Sequence, residues 1–433
     1  MKEYLKRLPP DILEIILSAQ QVSTELGYRV FLVGGFVRDL ILGVKNFDVD
    51  IAVESDGIRF ARALGSKIGA KVIAHRRFGT ATLIIKPHLK VDIATTRKED
   101  YPYPGSLPEV RAGVLEDDLV RRDFTINSLA INISVRDFGV LIDVCGGKSD
   151  VMAGKIRVLH EQSFIDDPTR ILRAIRFEQR YNFRIEPITL ALLKGAAKQR
   201  ILQRIQPQRL RDELILILKE RFPLKPLKRI RDLRCLDFIS PHLCLAPGTC
   251  RLISAIDKEV AWFAANHNHR RHLDVWVIYL IALLEHLGEA QVKSICEKFV
   301  FRKAEGKKIL SFKQFRPQYF QMLRKPKVKP SRIYKLLEPL SYEEIILLRA
   351  KYKNKNFRQY LDEFISIHNE MRIAVSGHDL RGFGVSPGPA YQYIFKKVLE
   401  ARLDGKLHTR HEELMFVRKL AKLAQKGHTQ HTY

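Results

Sequence analysis

Two aspartates one residue apart, Asp48 and Asp50 in "NFDVDIAV", stand at the edge of an apolar run. Side chains two apart on a strand leave the same face, so both carboxylates would emerge together. Side by side they repel, unless a cation is shared between them. Oxygen-only ligands in this pattern suit Mg²⁺, which is commonly held by one or two carboxylates plus phosphate oxygens. A solvent-facing strand edge, or two salt bridges, would satisfy the same spacing. Asp92, in "KVDIATTR", is a third acid inside an apolar strand, and a structural or salt-bridging role fits it as well as a third catalytic carboxylate does. Upstream, Gly34 and Gly35 close an apolar stretch just before the helical pattern "FVRDLIL". Amides at a helix start bind phosphate, and glycine lets a phosphate approach the chain closely. A glycine cradle ahead of an Asp-x-Asp pair supplies both features that a nucleoside triphosphate needs.

Two further clusters follow. In "RRDFTIN", Asp123 and Asn127 are four apart, which predicts one face of a helix beginning there, with Arg121 and Arg122 at its start. An acid and an amide suit a ribose 2′-hydroxyl, which both donates and accepts. Asp123 as a helix cap and Arg121 in a surface ion pair are the plainer alternatives. In "DDPTRILRAIRF", an acid and Pro168 open a helix whose Ile171, Leu172 and Ile175 face the core. That account explains Asp167 but not Arg170, Arg173 and Arg176 along the same segment.

These residues must be positioned by a folded scaffold, and the chain is long enough to build one. Its 433 residues imply two to four domains, and its 46% hydrophobic content allows sizeable cores. Apolar runs at 29–33, 49–53, 71–74, 81–86 and 91–94 read as strands of a mixed α/β head. From about Val151 the spacing turns helical, with breaks at "RFPLKPLK" and "RKPKVKPSR". The longest apolar run, "VWVIYLIALL", is too short to span a bilayer, and the first residues lack a leader-like apolar segment. A cytoplasmic protein is expected. Five cysteines without a Cys-x-x-Cys pair point to buried thiols and to neither disulfides nor zinc. The net charge of +27 predicts a polyanionic partner. Between Phe301 and Lys335 there are twelve Lys or Arg against one acid, with Phe312, Phe315, Tyr319, Phe320 and Tyr334 interleaved, a pattern that favours RNA. The histidines of "NHNHRRHLD" (His267, His269, His272) read as a polar loop, and "GHTQHTY" as a tail.

Taken with "RRDFTINSLAIN", "DVCGGKSDVMAGKIRVLH", "DDPTRILRAIRF" and "QRLRDEL", the stretch "GGFVRDLILGVKNFDVDIAV" resembles the class II nucleotidyltransferases, the tRNA CCA-adding enzymes and bacterial poly(A) polymerases. The motifs run in family order over about the first 220 residues. The resemblance implies an α+β fold: a polymerase-β-like head over 1–145, then an all-α neck over 146–225, body over 226–325 and tail over 326–433. It implies two Mg²⁺ ions held by Asp48 and Asp50. One would activate the RNA 3′-hydroxyl, and the other would steady the leaving pyrophosphate. Gly34, Gly35, Arg38, Arg121, Arg122, Asp123 and Asn127 are implied in triphosphate and ribose binding. Asp167 and Arg170 are implied as readers of the base, with Arg173 and Arg176 beside them. Cytosine and adenine each offer an amine donor next to a ring-nitrogen acceptor, which a carboxylate and a guanidinium match without a template. Asp166 stands where the family commonly has Glu, and Gln208 where it often has Glu. Arg209 and Glu213, four apart, are expected to pair along one structural helix.

The expected activity is therefore addition of C, C and A to tRNA 3′ ends from CTP and ATP. The implied partner surface is the acceptor and TΨC arm of tRNA, with the chain a monomer or weak dimer and no membrane involved. "NSLAIN" and the tail motif "GHDLRGFGVSPGP" resemble the CCA branch more than the polymerase branch. The segment 95–119 is long enough to hold the flexible loop that CC-only enzymes lack, which leaves A-only addition open. A poly(A) polymerase is a rival within the class. A non-catalytic RNA-binding protein is a remote one, since it would be expected to have lost one of Asp48, Asp50 and Asp123.

Overall fold

A computed structural model describes residues 1–44, 48–86, 89–267, 272–314 and 317–428. His269, Phe315 and the last residues of the tail lie outside the described residues. The chain divides into two compact units, Met1–Pro241 and His242–Tyr433. The head and all of the neck expected from the sequence fall within the first, together with the first residues of the expected body.

The first unit is built on a mixed sheet. Its strands are β1 (Arg29–Val33), β2 (Val49–Glu54), β3 (Lys71–His75), β4 (Thr80–Lys86), β5 (Leu89–Thr95), β8 (Ala130–Asn132) and β9 (Leu141–Ile142). A separate two-stranded hairpin consists of β6 (Arg97–Asp100) and β7 (Glu109–Ala112). The order in the large sheet is β3-β4-β5-β2-β1-β8-β9, with β2 and β5 parallel and every other neighbour antiparallel. All five strand runs read from the apolar pattern are present.

Alternation explains how β2 carries charge. Val49, Ile51 and Val53 point into the core, so Asp50 must point the other way. β5 alternates likewise, with Leu89, Val91 and Ile93 buried. The Gly57–Ile68 helix covers the sheet with Phe60, Ala61 and Leu64. Burial of rings and branched chains of this size is worth roughly 1.5–3 kcal/mol each. Asp56 caps this helix by accepting from the Ile58 and Arg59 amides, and Gly69 ends it in a left-handed turn.

Residues 95–120, where the sequence left room for a flexible loop, hold the β6–β7 hairpin and the short helix Leu115–Val120. The sequence expectations need correction in three places. Asp123 and Asn127 do not share an α-helix: extended Phe124 leads into a 3₁₀ turn, Thr125–Asn127. Arg209 and Glu213 do not pair with each other, because each is taken by a residue of the Thr169–Tyr181 helix or of the segment before it. Among the cysteines, Cys235 and Cys296 are buried as expected, but Cys244 is exposed.

The second unit is helical. The Val275–Leu283 helix is buried from Trp276 to its end between the helices Pro247–His267 and Tyr342–Lys351, which is why its sequence is apolar all round. The aromatics of the basic segment mostly serve this core. Phe312 is buried, Phe320 stacks on Tyr352 at 3.8 Å, and Tyr334 packs on Phe364. In the tail, helices Gly377–Gly382, Pro389–Leu403 and Arg410–His428 share a core of Leu380, Ile394, Val398 and Val417. Buried Glu413 ties it together, accepting from the Ala374 and Val375 amides and pairing with Arg402. Asp379 accepts from Ser376 and pairs with Arg410, so "GHDLRG" is a capped structural turn.

Candidate functional site

Asp50 and Asp92 sit in register on the parallel pair β2–β5, so their carboxylates leave the same face at the same level. Asp48, two residues before Asp50, is exposed. The Asp50 carboxyl is pushed up to about 6, first by burial and then by Asp92 and Asp48, against the opposing pull of Arg122 and Arg38. Asp92 accepts from Thr82 Oγ1 at 2.6 Å, the structural partner that the sequence left open. Among the described residues no three His, Cys, Asp or Glu side chains are arranged as a metal cluster. The donor set therefore fits an ion completed by ligand oxygens: two neighbouring carboxylates, one of them partly desolvated and crowded by like charge.

Gly34 is the hinge of the site. It turns the chain from β1 into the Gly35–Leu42 helix at φ +69 and ψ −132, a conformation that L side chains resist. A Cβ there would overlap the Arg122 guanidinium, with Asp50 Oδ2 3.8 Å away. Its own amide is spent on the Leu129 carbonyl at 3.0 Å, so the contribution of Gly34 is close approach, not a free N–H. Gly35 lines the cavity.

That cavity has a volume of about 490 Å³ and is walled also by Arg38, Asp50, Arg122, Asp123, Asn127, Asp167 and Arg170. A second cleft, of about 350 Å³, includes Asp92 and shares Asp50, Arg121 and Arg122 with the first. Buried Asp118 anchors both arginines: it accepts from Arg121 Nη2 at 2.5 Å and Arg122 Nη2 at 2.8 Å. Although burial raises the Asp118 carboxyl, Arg122 and Arg121 more than reverse this and lower it. Arg121 is spent further on Glu99, at 2.8 Å. Arg122 is different. Its Nε is buried without a partner among the described residues, and an unmet buried donor costs roughly 1–3 kcal/mol. The residue itself lines both clefts.

One wall is a continuous hydrogen-bonded chain. Arg38, buried over the rings of Phe177 and Tyr181, is held by Asp39 and donates to Asn127. Asn127 donates to Asp123 Oδ1 at 2.8 Å, and Arg173 donates to Asp123 Oδ2 through Nε and Nη2. Burial raises the Asp123 carboxyl, but the Arg173 charge and the Asn127 bond outweigh it and hold the group down at about 2. Arg173 continues to Glu213, which also takes Arg176. Arg176 is buried and does not itself line the cavity; it reaches the site only through Glu213, which does.

Asp167 and Arg170 complete the far side. Arg170 is buried and donates to Ser163 Oγ at 2.6 Å and to the Arg121 carbonyl at 2.9 Å. Asp167 Oδ1 accepts from the Thr169 amide and hydroxyl and from Arg209. Tyr101, from the end of the hairpin strand, also lines the cavity, its hydroxyl pushed up to about 12 by burial and by Glu99.

Sequence reasoning missed Glu99, Tyr101, Asp118, Phe177 and Glu213. Asp118 alone had a local signal, three and four residues before Arg121 and Arg122 in "LEDDLVRR".

Comparison with known proteins agrees with this architecture. The Poly A polymerase head domain family matches residues 30–157, and the family described as "Probable RNA and SrmB- binding site of polymerase A" matches 182–246. A relative from Halalkalibacterium halodurans, named an A-adding tRNA nucleotidyltransferase, is 31% identical over 420 residues, covering 95% of this chain and 93% of its own. This chain belongs to the tRNA nucleotidyltransferase family. Another family member, the A-adding tRNA nucleotidyltransferase of Geobacter sulfurreducens, is 38% identical over 421 residues, covering 96% of this chain; the chain spans only 48% of that relative's length. Among solved structures of the family, the Thermotoga maritima CCA-adding enzyme complexed with tRNA superposes with a TM-score of 0.70, 34% identity and 98% coverage of both chains. Among the described residues, no helix is long and apolar enough to cross a membrane.

Proposed function

We propose that this chain transfers AMP from ATP to the 3′-hydroxyl of a tRNA ending in CC, releasing pyrophosphate. The observation that carries the reading is the Arg122 guanidinium beside Gly34 and Asp50, its buried Nε without a partner among the described residues, a cationic donor next to crowded carboxylates in one cavity. AMP is the nucleotide shared by the A-adding and CCA-adding relatives, and the two A-adding sequences, one of them matched over 93% of its own length, favour the terminal step. Addition of the two C residues from CTP is the second reading, favoured by the 34% identity to the Thermotoga enzyme over 98% of both chains.

In this reading Asp48 and Asp50 hold Mg²⁺, with Asp92 as a third carboxylate. The ions supply charge neutralisation at the α-phosphate and at the pyrophosphate. The chain does the rest. Gly34 and Gly35 let the triphosphate lie against the backbone, Arg122 donates to it, and Arg38 and Arg121, each held by buried acids, line the same wall. Asp123 and Asn127 meet the ribose. Asp167 accepts from the base amine, and Arg170 donates to the ring nitrogen. Arg173 and Arg176 support them through Asp123 and Glu213. The basic helical second unit takes the acceptor and TΨC arm.

The test supplies tRNAs lacking CCA, or ending in CC, with Mg²⁺ and ATP, CTP or both. The reading expects one A on the CC-ending tRNA. CTP incorporation on the shorter tRNA would establish the second reading. Long A tails on an unrelated RNA, or no incorporation at all, would overturn both.

A further inference from the structure

Asp167 is held in an asymmetric way. Among the described residues all its donors converge on Oδ1: the Thr169 amide at 3.0 Å, the Thr169 hydroxyl at 2.6 Å and Arg209 Nη2 at 2.8 Å. Oδ2 carries no hydrogen bond or ion pair among the described residues, and Asp167 lines the cavity. A carboxylate has about four lone-pair sites. Three donors on one oxygen fill that side and fix the rotation of the group, leaving the other oxygen to face a ligand.

Two of the three donors are local, since Thr169 is two residues on. Arg209 is not. It reaches across from the Pro207–Leu218 helix, and its Nη1 also contacts the carbonyl of Gly105 at 3.5 Å. Gly105 belongs to the loop joining β6 and β7, and its amide bonds to the carbonyls of Ile165 and Asp166. Thus one planar guanidinium joins the carboxylate to the hairpin that brings Tyr101 and Glu99 to the same cavity. A fork with fixed angles suits two acceptors at once, which an ammonium cannot match.

We propose that Arg209 is a specificity-determining positioning residue: it holds Oδ1 of Asp167, so that Oδ2 is the single acceptor presented to the incoming base. A single, fixed acceptor matches the exocyclic amine of adenine or cytosine. It meets only the carbonyl of uracil or guanine there, and two acceptors facing each other are not satisfied. Without Arg209 only the Thr169 amide and hydroxyl hold Oδ1, the carboxylate can tilt and share its oxygens with water, and the contrast between amine and carbonyl is blunted. The proposal rests on the reading of Asp167 as the group that meets the base.

The experiment measures kcat/KM for ATP, CTP, UTP and GTP on CC-ending tRNA with the full chain and three variants. In Arg209→Met, discrimination of ATP over UTP and GTP should fall by roughly tenfold, the loss expected when one polar contact is misplaced. Most of the change should lie in KM for ATP. Arg209→Lys, which keeps one donor to Oδ1, should restore most of the discrimination. A purely structural role predicts a lower melting temperature and an equal fall in kcat for all four nucleotides, with the ratio unchanged; that result would overturn the proposal. If Arg209→Met melts below the assay temperature, Arg209→Gln is read by the same ratio with the same expectation. Asp167→Asn separates the two levels. If it keeps the wild-type ratio, the base-reading role of Asp167 fails. If it loosens the ratio while Arg209→Met does not, only the role of Arg209 fails.

Discussion

Arg173 grips Asp123 with two donors on one oxygen, Nε at 2.8 Å and Nη2 at 2.7 Å, while Asn127 holds the other oxygen at 2.8 Å. The two residues lie fifty apart in sequence, one in the bend between the head's arginines and the 3₁₀ turn, the other on the neck helix. Their contact fastens the two halves of the cavity wall to each other.

This pair gives the first unit a pH signature. The Asp123 carboxyl sits at about 2, against an ordinary value of 3.8. A depressed folded value means that its stabilisation is fully present above about pH 4 and is lost as pH falls toward 2. Asp123→Asn should therefore cost about 2 kcal/mol at neutral pH. The gap from wild type, measured by denaturant unfolding, should shrink as pH drops from 5 toward 2. A gap that stays constant over that range would mean the carboxylate charge does not matter.

Gly34→Ala tests the close approach at the head of the site. The backbone angle alone carries a strain of about 1–3 kcal/mol for a non-glycine residue, and the new Cβ would drive Arg122 off Asp118. A lower melting temperature together with at least a tenfold loss of AMP transfer is expected. Gly69→Ala is the control: it is also left-handed, but nothing lies within 4 Å of its Cβ, so it should lose stability without losing activity beyond that.

Asp50→Asn should reduce AMP incorporation by more than about a hundredfold, since even the outer partners of a bound metal commonly cost 10–100-fold. Affinity for tRNA, measured by filter binding, should change little. Retained turnover would remove Asp50 from the metal site.

Much of this was legible in the sequence, for physical reasons. Period-two alternation and isolated acids locate β2, β5 and their carboxylates, because a strand fixes which face each side chain takes. Motif order carried the neck residues Asp167 and Arg170. What was not legible depends on contacts distant in sequence. Nothing near Arg209 indicates that it reaches Asp167 instead of Glu213, and nothing near Glu99 indicates that it takes Arg121. Asp123 and Asn127 misled in a different way. Their spacing of four suits an α-helix, but an extended residue and a 3₁₀ turn bring the same two side chains together. The packing roles of Phe312, Phe320 and Tyr334 were not legible either, because composition cannot distinguish a ring that stacks on a base from one that packs on a neighbouring helix.

Phe320 makes that last point measurable. It stacks on Tyr352 and meets Phe357 edge-on. Phe320→Ala should destabilise the second unit by about 2 kcal/mol, below the 3–5 of a fully buried ring. In contrast, Lys325→Ala and Lys327→Ala together should leave stability unchanged and reduce the salt dependence of tRNA binding. If Phe320→Ala weakens RNA binding at unchanged stability, the ring is a base platform after all.

The central claim, AMP transfer at the cavity that holds Asp50 and Arg122, is tested most directly by one measurement: 3′-end sequencing of a CC-ending tRNA after incubation with ATP and Mg²⁺, using wild type and Arg122→Met. The account predicts a single added A with wild type and at least a tenfold slower addition with the variant, at equal folding. Wild type that leaves the CC end unchanged, or a variant that adds A at the wild-type rate, would contradict it.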